Sequence, residues 1–326
     1  MTRISVLQLI AFAGITAMAW NGDGADEMPE EAEPTPVEIR GSGVPTLGGM
    51  QFWADCRWLQ GWKIQQHVYT HHCRLLDPRN RRHHSGSLEE CEAALQYIQR
   101  RKHLAPDTGR AVILIHGIVR TSRSLEPMAA ALRSTHQTVI GFEYPSAHIP
   151  IEKSAEYLRQ LIASLTEVDE IDLVVHSMGG LVVRSYLQQE PDPRLHRMVM
   201  LGTPNRGSEM ADLLQRNPLY RLVMGPAGQQ LVTDPEASIQ SLPVPDFEFA
   251  VVAGGNGKDG YNPLLPGDDD GTVAVDSVRL AGAADSLRVP VLHTFLTRDE
   301  RVVRAAKNFL VHGRLREEGA PVPVVE

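Results

Sequence analysis

The feature that most constrains the fold is the stretch over residues 171–186, which reads IDLVVHSMGGLVVRSY. It begins with a short apolar run that is typical of a strand buried on both faces of a sheet. After His176, Ser177 and Met178 come two glycines, and the apolar residues beyond them recur with the spacing of a buried helix face. The sequence therefore predicts a strand, an abrupt turn and a helix, with Ser177 at the corner.

Ser177 is a candidate nucleophile because of this position. At such a corner the serine adopts a strained backbone conformation, its hydroxyl is exposed, and the N-terminus of the helix points at it. Gly179 lets the helix backbone pass close to its neighbours, since it has no Cβ. The pattern is G-x-S-x-G without its first glycine, because Val175 stands there and needs more room. An ordinary buried serine at a strand–helix turn is the alternative interpretation.

The charge of the chain is concentrated near its N-terminus. The net charge is -8, and residues 1–39 hold one arginine and seven acidic residues, a net of -6, which leaves -2 for the rest. The remainder is thus close to neutral. It has no extended basic stripe interleaved with aromatic residues, so we expect no nucleic-acid partner.

The first 49 residues indicate export. Residues 1–19 combine Arg3, an apolar run and the small-x-small sequence Ala-Met-Ala, which predicts a signal peptide or an N-terminal anchor. Residues 20–49 are acidic and rich in proline and glycine, which predicts a disordered tether. We therefore expect a periplasmic, secreted or surface-anchored protein. Membrane association, through the N-terminal segment or through a lid at residues 205–245, is one option.

Residues 50–105 form a separate small module that is rich in tryptophan and cysteine. Residues 62–68 and 72–76 are predicted to form two short strands. A capping-box sequence that begins at Ser87 predicts a helix to about residue 101. The result is a ββα module of about 50 residues, which needs a covalent link or docking to be stable.

The three cysteines of this module allow two interpretations. Export permits a disulfide between Cys73 and Cys91, which would tie strand to helix and leave Cys56 unpaired; the pairing stays open at this point. The second interpretation is a zinc site, built from residues in the list His71, His72, Cys73, His83, His84 and Cys91. Their spacing matches no standard zinc finger, so we expect no metal.

Residues 106–315 alternate between buried-strand runs and helical segments. The strands are predicted at 110–115, 138–144, 171–175, 198–201, 248–254 and 289–292, and helices at 124–133, 151–165 and 301–311. Such alternation predicts an α/β fold with a mainly parallel, doubly wound sheet and helices on both faces, followed by a short tail over 316–326. The active site of such a sheet lies at the C-terminal ends of its strands, where His116, Ser177 and Gly202 fall.

Four motifs carry a resemblance to a known family. They are LIHGI, VVHSMGG, LGTPNRGS and DDGTVAVDS, in this order along the chain. With this spacing, residues about 110–312 resemble the α/β-hydrolase superfamily, and more narrowly its lipase/esterase branch. Two positions depart from the usual pattern: Val175, and Asn205, where histidine is more common.

The resemblance implies a Ser-His-Asp triad. The acid of this fold follows the nucleophile and precedes the histidine, which points to Asp270, with Asp276 as the runner-up. His293 follows the last predicted strand and is the expected base. The neighbouring Asp268 and Asp269 are either solvated or calcium ligands.

The resemblance also implies an oxyanion hole made of two backbone N–H groups. We assign one to Ile118, in the loop after the strand 110–115, and the other to Met178, directly after the nucleophile. The role of His116 is then structural, since it holds that loop. No cofactor and no metal are required.

The resemblance implies a serine esterase or lipase that acts on a small-molecule or lipid ester. Residues 205–245 carry no predicted strand but apolar helical pieces, which fit either a lid or ordinary packing on the sheet. The alternatives are an inactive hydrolase-fold binding module or, among enzymes, an acyltransferase or amidase. The sequence does not indicate an oligomeric state.

Overall fold

The computed structural model describes residues 44–45 and 50–325, so the predicted signal peptide or anchor and most of the predicted tether lie outside the described residues. The first sheet is antiparallel, in the order β1-β5-β4-β3-β2. Its strands are β1 (Val44–Pro45), β2 (Trp53–Leu59), β3 (Trp62–His67), β4 (Cys73–Leu76) and β5 (Arg81–Gly86). The helix α1 (Leu88–Lys102) follows, and its capping box at Ser87 and Glu90 is present as predicted.

This first module has more strands than the predicted ββα unit. The strands β2 and β5 were missed, for different physical reasons. Strand β5 has no fully buried residue and forms by backbone pairing with β4 rather than by apolar alternation. Strand β2 buries Asp55 among its apolar residues, which hides its pattern.

The three cysteines of the module are all buried and unbridged, so the Cys73–Cys91 disulfide that we considered is not formed. The thiol of Cys56 donates to the carbonyl of Ile64 at 3.3 Å, and that of Cys73 contacts the carbonyl of His71 at 3.7 Å. The zinc interpretation fails as well, because the described residues contain no group of three His, Cys, Asp or Glu side chains placed to hold a metal ion. Packing and docking therefore stabilise the module.

The module docks on the residues that follow it. The amide of Asp55 donates to the carbonyl of Glu143, and the amide of Glu143 donates back to the Asp55 carboxylate, both at 2.9 Å. The hydroxyl of Tyr157 donates to the side chain of Gln66 at 3.1 Å. These buried polar contacts fix the module against the second sheet.

The second sheet has six strands, all parallel, in the order β11-β10-β9-β8-β6-β7. The strands are β6 (Gly109–Ile115), β7 (Thr138–Phe142), β8 (Val168–His176), β9 (Leu195–Leu201), β10 (Glu248–Gly254) and β11 (Asp285–Val289). Helices occupy the connections: α2 (Glu126–Leu132), α3 (Ile151–Ala163), α4 (Met178–Tyr186), α5 (Glu209–Leu214), α6 (Pro218–Gln229), α7 (Val275–Val278) and α8 (Glu300–His312). The predicted fold class is confirmed.

Alternate side chains of the central strands enter two different cores, because successive residues of a strand point to opposite faces. Ile113 and Val175 pack in one core together with residues of α3 and α4. Leu114 and Val174 pack in the other with residues of α2 and α8. The sheet is thus covered on both faces, which explains its near-continuous apolar strands.

The C-terminal part of the domain differs from the prediction. The last strand lies at Asp285–Val289 instead of 289–292, and His293 begins a short 3-10 helix, His293–Phe295. The predicted C-terminal tail packs on the sheet domain, where Val324 is buried and exchanges backbone hydrogen bonds with Gly282 and Ala283. No helix among the described residues is both long and apolar enough to cross a membrane.

Candidate active site

The predicted elbow is present at Ser177. Strand β8 ends at His176, α4 begins at Met178, and Ser177 between them has φ 54° and ψ -129°. A positive φ is rare for a residue with a side chain, and strain of this kind is concentrated at functional sites. The elbow therefore positions the side chain of Ser177 at the C-terminal edge of the sheet.

Two glycines allow the chain to pack tightly around this elbow. A Cβ on Gly179 would lie 2.6 Å from the carbonyl oxygen of Ile115 and 2.8 Å from that of His116, closer than real Cβ atoms come. A Cβ on Gly117 would lie 2.9 Å from the Cβ of Ser177. The loop after β6 is thus pressed directly against the serine. Val175, which replaces the usual first glycine, is fully buried in the core of the sheet.

His293 and Asp270 form a buried pair next to the elbow. The Nδ1 atom of His293 lies 2.7 Å from Oδ2 of Asp270, and the amide of His293 donates to the carbonyl of Asp270 at 2.9 Å. The other oxygen, Oδ1, accepts the amides of Thr272 at 3.0 Å and Val273 at 2.8 Å. With its carboxylate held on both sides, Asp270 can fix the orientation and tautomer of the imidazole.

The imidazole of His293 packs against Gly202, and the residue before that glycine is hydrogen-bonded to the elbow. The amide of Ser177 donates to the carbonyl of Leu201 at 2.9 Å, and a Cβ on Gly202 would lie 3.0 Å from Nδ1 of His293. Within the described part of the chain, no hydrogen bond yet joins the Ser177 hydroxyl to His293. Catalytic hydrogen bonds are often long before substrate binds. Both side chains remain slightly exposed, Ser177 at 8 % and His293 at 7 %.

The loop after β6 contains Ile118, whose amide was predicted for the oxyanion hole. Among the described residues, this amide donates no hydrogen bond within the protein. The next residue, Val119, has φ 53°, which is an outlier for a β-branched residue, and its side chain is exposed. Met178 is the first residue of α4, so its amide has no acceptor within the helix. Met178 therefore follows Ser177 directly, and Ile118 follows Gly117, the residue that packs on Ser177.

His116 supports this loop from inside the protein, as expected for a structural residue. Its ring stacks on Tyr144 at 4.4 Å, and the hydroxyl of Tyr144 donates to the carbonyl of His116 at 2.5 Å. Nδ1 of His116 lies 2.9 Å from the carbonyl of Gly117. Burial lowers the pKa of His116 from 6.5 to about 4, so the ring is neutral at physiological pH.

His176 is a second buried histidine, and sequence reasoning gave it no role. Its Nε2 atom lies 3.1 Å from the carbonyl oxygen of His293, and the two rings are 4.7 Å apart. Burial, followed by the nearby charge of His293, keeps the pKa of His176 well below 6.5. A neutral ring whose Nε2 faces a carbonyl must carry its proton there, so His176 donates a hydrogen bond to the backbone of His293.

The other acidic candidates have different positions. Asp276 is exposed on α7 and does not meet His293. Asp269 accepts the amides of Asn262 and Gly271, and Asp268 accepts the amides of Asn256 and Gly257. Asp268 and Asp269 therefore hold the turn that carries Asp270, and neither the solvated nor the calcium interpretation describes them.

Asn205, the second departure from the family pattern, is a structural residue. Its side-chain amide donates to the carbonyl of Val278 at 2.8 Å, and its oxygen accepts from Arg184 of α4 at 3.3 Å. Arg184 also donates to the carbonyls of Leu242 and Pro243, and burial lowers its pKa to about 10. These contacts tie the elbow helix to the far end of the region 205–245.

Helix α6, in the middle of the region 205–245, lies against the loop after β6. We call this loop the oxyanion loop because it contains Ile118. A Cβ on Gly228 would lie 3.5 Å from Cδ1 of Ile118, and Gly225, at a kink with φ 57°, packs on the backbone of Ala147. On its other side α6 exposes Leu219, Leu222 and Val223. Helix α6 thus packs beside Ile118 and exposes an apolar face.

Parts of this chain are similar to a family model, to a curated protein and to solved structures. A family model described as a domain of unknown function (DUF7379) matches residues 82–242. A curated protein from Shewanella oneidensis, cis-3-alkyl-4-alkyloxetan-2-one decarboxylase, is 27% identical over 110 residues, which cover 29% of this chain. The chain spans about a third (33%) of the length of that relative.

Two solved structures are similar at low identity. One is a gene product of Listeria innocua, with 19% identity, a TM-score of 0.46, and coverage of 67% of this chain and 97% of the other. The second is a lipase of Bacillus licheniformis in its mature form, with 19% identity, a TM-score of 0.43, and coverage of 62% and 89%. The parallel sheet, the elbow at Ser177 and the paired His293 and Asp270 give this chain the α/β-hydrolase fold.

Proposed function

We propose that the protein is a serine hydrolase that cleaves carboxylic esters through Ser177, His293 and Asp270. The observation that carries the proposal is the 2.7 Å contact between His293 and Asp270, at the same sheet edge as the strained Ser177. A buried carboxylate that orients an imidazole next to a nucleophile elbow is the arrangement that acyl transfer requires.

In the proposed reaction, His293 removes the proton of the Ser177 hydroxyl as its oxygen attacks the ester carbonyl. The amides of Ile118 and Met178 stabilise the negative charge that develops on the carbonyl oxygen. His293 then protonates the leaving alcohol, and an acyl-enzyme remains on Ser177. Water, activated by the same imidazole, releases the acid and restores the serine.

The exposed apolar residues near the site offer a surface for an apolar or lipidic part of the substrate. Helix α6 exposes Leu219 at 66 % and Leu222 at 81 %, next to a loop that itself exposes Val119. Such residues can contact an apolar acyl chain or a lipid surface. We propose that the residues 205–245 act as a lid, and that the protein is exported by its N-terminal segment.

Hydrolysis of p-nitrophenyl esters tests this proposal. Wild-type protein should release p-nitrophenol, and Ser177→Ala should lose this activity by at least about 10³-fold while it keeps its fold, because the nucleophile is gone. Equal rates for the two proteins would contradict the proposal and would favour the alternative, a hydrolase-fold binding module without activity. Ser185→Ala, on the helix after the elbow, is a matched control for a buried serine that lies outside the site.

An acyltransferase or an amidase would use the same three residues. Product analysis in the presence of an added alcohol separates the first from a hydrolase, because a transferase forms the new ester in preference to the free acid. Hydrolysis of an anilide that carries the same acyl group tests for an amidase. We propose ester hydrolysis as the main reaction, since it needs nothing beyond the groups described.

A further inference from the structure

A cavity of about 280 Å³ lies beside the oxyanion loop. Four parts of the chain line it: residues 119–121 of that loop, residues 143–148 after β7, Gln51 of the N-terminal module, and Val223 of α6. The cavity therefore begins one residue after the amide of Ile118. The loop that lines it also packs on Ser177, since a Cβ on Gly117 would lie 2.9 Å from the Cβ of that serine.

The N-terminal module fixes the wall of this cavity. Asp55 of β2 holds the backbone of Glu143 through the reciprocal hydrogen bonds already described. The ring of Phe52 packs on that of His148 at 4.6 Å, and the hydroxyl of Tyr69 donates to the carbonyl of His148 at 3.2 Å. The lining segment is thus held at both of its ends by the module, which makes the cavity a defined site rather than a gap between loops.

Arg120 is the unpaired charge of the cavity. Its guanidinium donates to the hydroxyl of Thr294, the residue after His293, at 2.8 Å. Within the residues that the structure describes, no carboxylate lies within salt-bridge distance of this side chain. A guanidinium has five N–H donors, so most of them remain available.

The other charged residue of the lining is already engaged. The Oε1 atom of Glu143 accepts the amide of Ser122 at 3.1 Å and also the hydroxyl of Ser122. Its second oxygen lies 3.7 Å from His116, and the side chain is buried. Glu143 is therefore a structural carboxylate, and Arg120 is the group with donors to offer to a ligand.

We propose that this cavity binds an anionic group of the ester substrate, a carboxylate or a phosphate, and that Arg120 recognises it. Guanidinium binds both groups through paired, charge-assisted hydrogen bonds. The bond to Thr294 holds the guanidinium between the oxyanion loop and the turn that carries His293. This inference rests on the proposed ester hydrolysis and adds a charge requirement to it.

Matched esters with and without an anionic group test the inference. One pair is mono-p-nitrophenyl glutarate and p-nitrophenyl pentanoate, which places the charge on the acyl side. The other is a monoacyl glycerol phosphate and the same monoacyl glycerol, which places it on the alcohol side. The quantity to compare is the ratio of kcat/KM for the anionic ester to that for the neutral ester.

In at least one pair, Arg120→Gln should lower this ratio about 10- to 100-fold, the value of one or two charge-assisted hydrogen bonds. Arg120→Lys should keep part of it, since it retains charge without the paired geometry. Arg123→Gln, an exposed arginine on the same loop, should leave the ratio unchanged. The pair that responds tells whether the group is a carboxylate or a phosphate.

A ratio that is the same in wild type and Arg120→Gln for both pairs would overturn the inference while ester hydrolysis stands. An equal fall in the ratio for Arg123→Gln would overturn the inference as well. The effect would then come from the overall charge of the surface and not from recognition by Arg120. If wild type hydrolyses none of the four esters, the proposed function fails, and this inference fails with it.

Discussion

His293 and Asp270 are 23 residues apart in sequence, and Nδ1 of the first lies 2.7 Å from Oδ2 of the second. The chain also joins them through the backbone, since the amide of His293 donates to the carbonyl of Asp270. The two residues are therefore held as one unit, and the loop around Asp268 and Asp269 keeps that unit in place.

Asp270→Asn should reduce kcat by about 10³–10⁴-fold with little change in KM. An amide can donate a hydrogen bond to Nδ1, which favours the wrong tautomer of His293 and gives no support to the imidazolium. Ester turnover under substrate saturation measures the effect. Asp276→Asn is the matched control, because Asp276 is exposed on α7. A similar loss in that variant would mean that the acid has been assigned to the wrong residue.

His176 should act as a positioning residue for His293. Because its Nε2 proton is donated to the carbonyl of His293, His176→Leu should lower kcat roughly 10-fold, while KM stays close to its original value. His176→Gln retains an N–H donor and should recover much of the loss. Steady-state kinetics of the two variants checks this prediction. Equal activity of the Leu and Gln variants would show that the hydrogen bond has no part in the effect.

Gly117→Ala should disable the site without unfolding the protein. The added methyl group would lie 2.9 Å from the Cβ of Ser177, so the loop or the serine must shift. Displacement of one oxyanion donor typically costs about 10²–10³ in rate. Thermal unfolding and ester turnover, measured on the same sample, separate the two effects. A variant with full activity would contradict the placement of the Ile118 amide beside Ser177.

The elements that could be predicted from the sequence are those whose residues bury completely. Strand β10 lies at 248–254, as expected from its continuous apolar run. The elbow was predictable for the same reason, since its strand and helix are both buried. Strand β5, by contrast, has the sequence RRHHSG and is fixed by pairing alone, so no periodicity reveals it.

Some residues of the candidate site could likewise be predicted from the sequence, and others could not. Ser177 follows β8 directly, Asp270 lies in the DDGTVAVDS motif, and His293 follows the last strand, so a local pattern can find all three. Arg120 and Thr294 are 174 residues apart, and no local sequence signal indicates that their side chains meet. From the sequence alone, Arg120 is recognisable only as a charged residue near the HG-x loop. His176 was inside the motif, but its donor role depends on a carbonyl 117 residues away.

The neutral state of His116 should make stability depend on pH. Its pKa falls from 6.5 in the unfolded chain to about 4 in the folded protein. Below pH 6.5 the unfolded chain binds a proton that the folded chain excludes, so the free energy of unfolding should decrease down to about pH 4. The decrease from this group amounts to roughly 3 kcal/mol.

Denaturant unfolding between pH 4 and pH 7 measures this dependence. His116→Asn should have a flatter pH curve than wild type, although it is less stable at pH 7 because the stack on Tyr144 is lost. The exposed His312 provides the comparison, and His312→Asn should keep the wild-type slope. If the free energy of unfolding of His116→Asn falls as steeply with decreasing pH as that of wild type, the buried histidine does not cause the pH dependence.

The most direct test of the account is reaction with a fluorophosphonate probe, followed by mass spectrometry of the intact protein and its peptides. Only an activated serine attacks such a probe, so no substrate needs to be known. The account predicts the addition of one probe molecule to wild type, located on Ser177, and no addition to Ser177→Ala or His293→Ala. Labelling of another residue, or no labelling of folded wild-type protein, would contradict it.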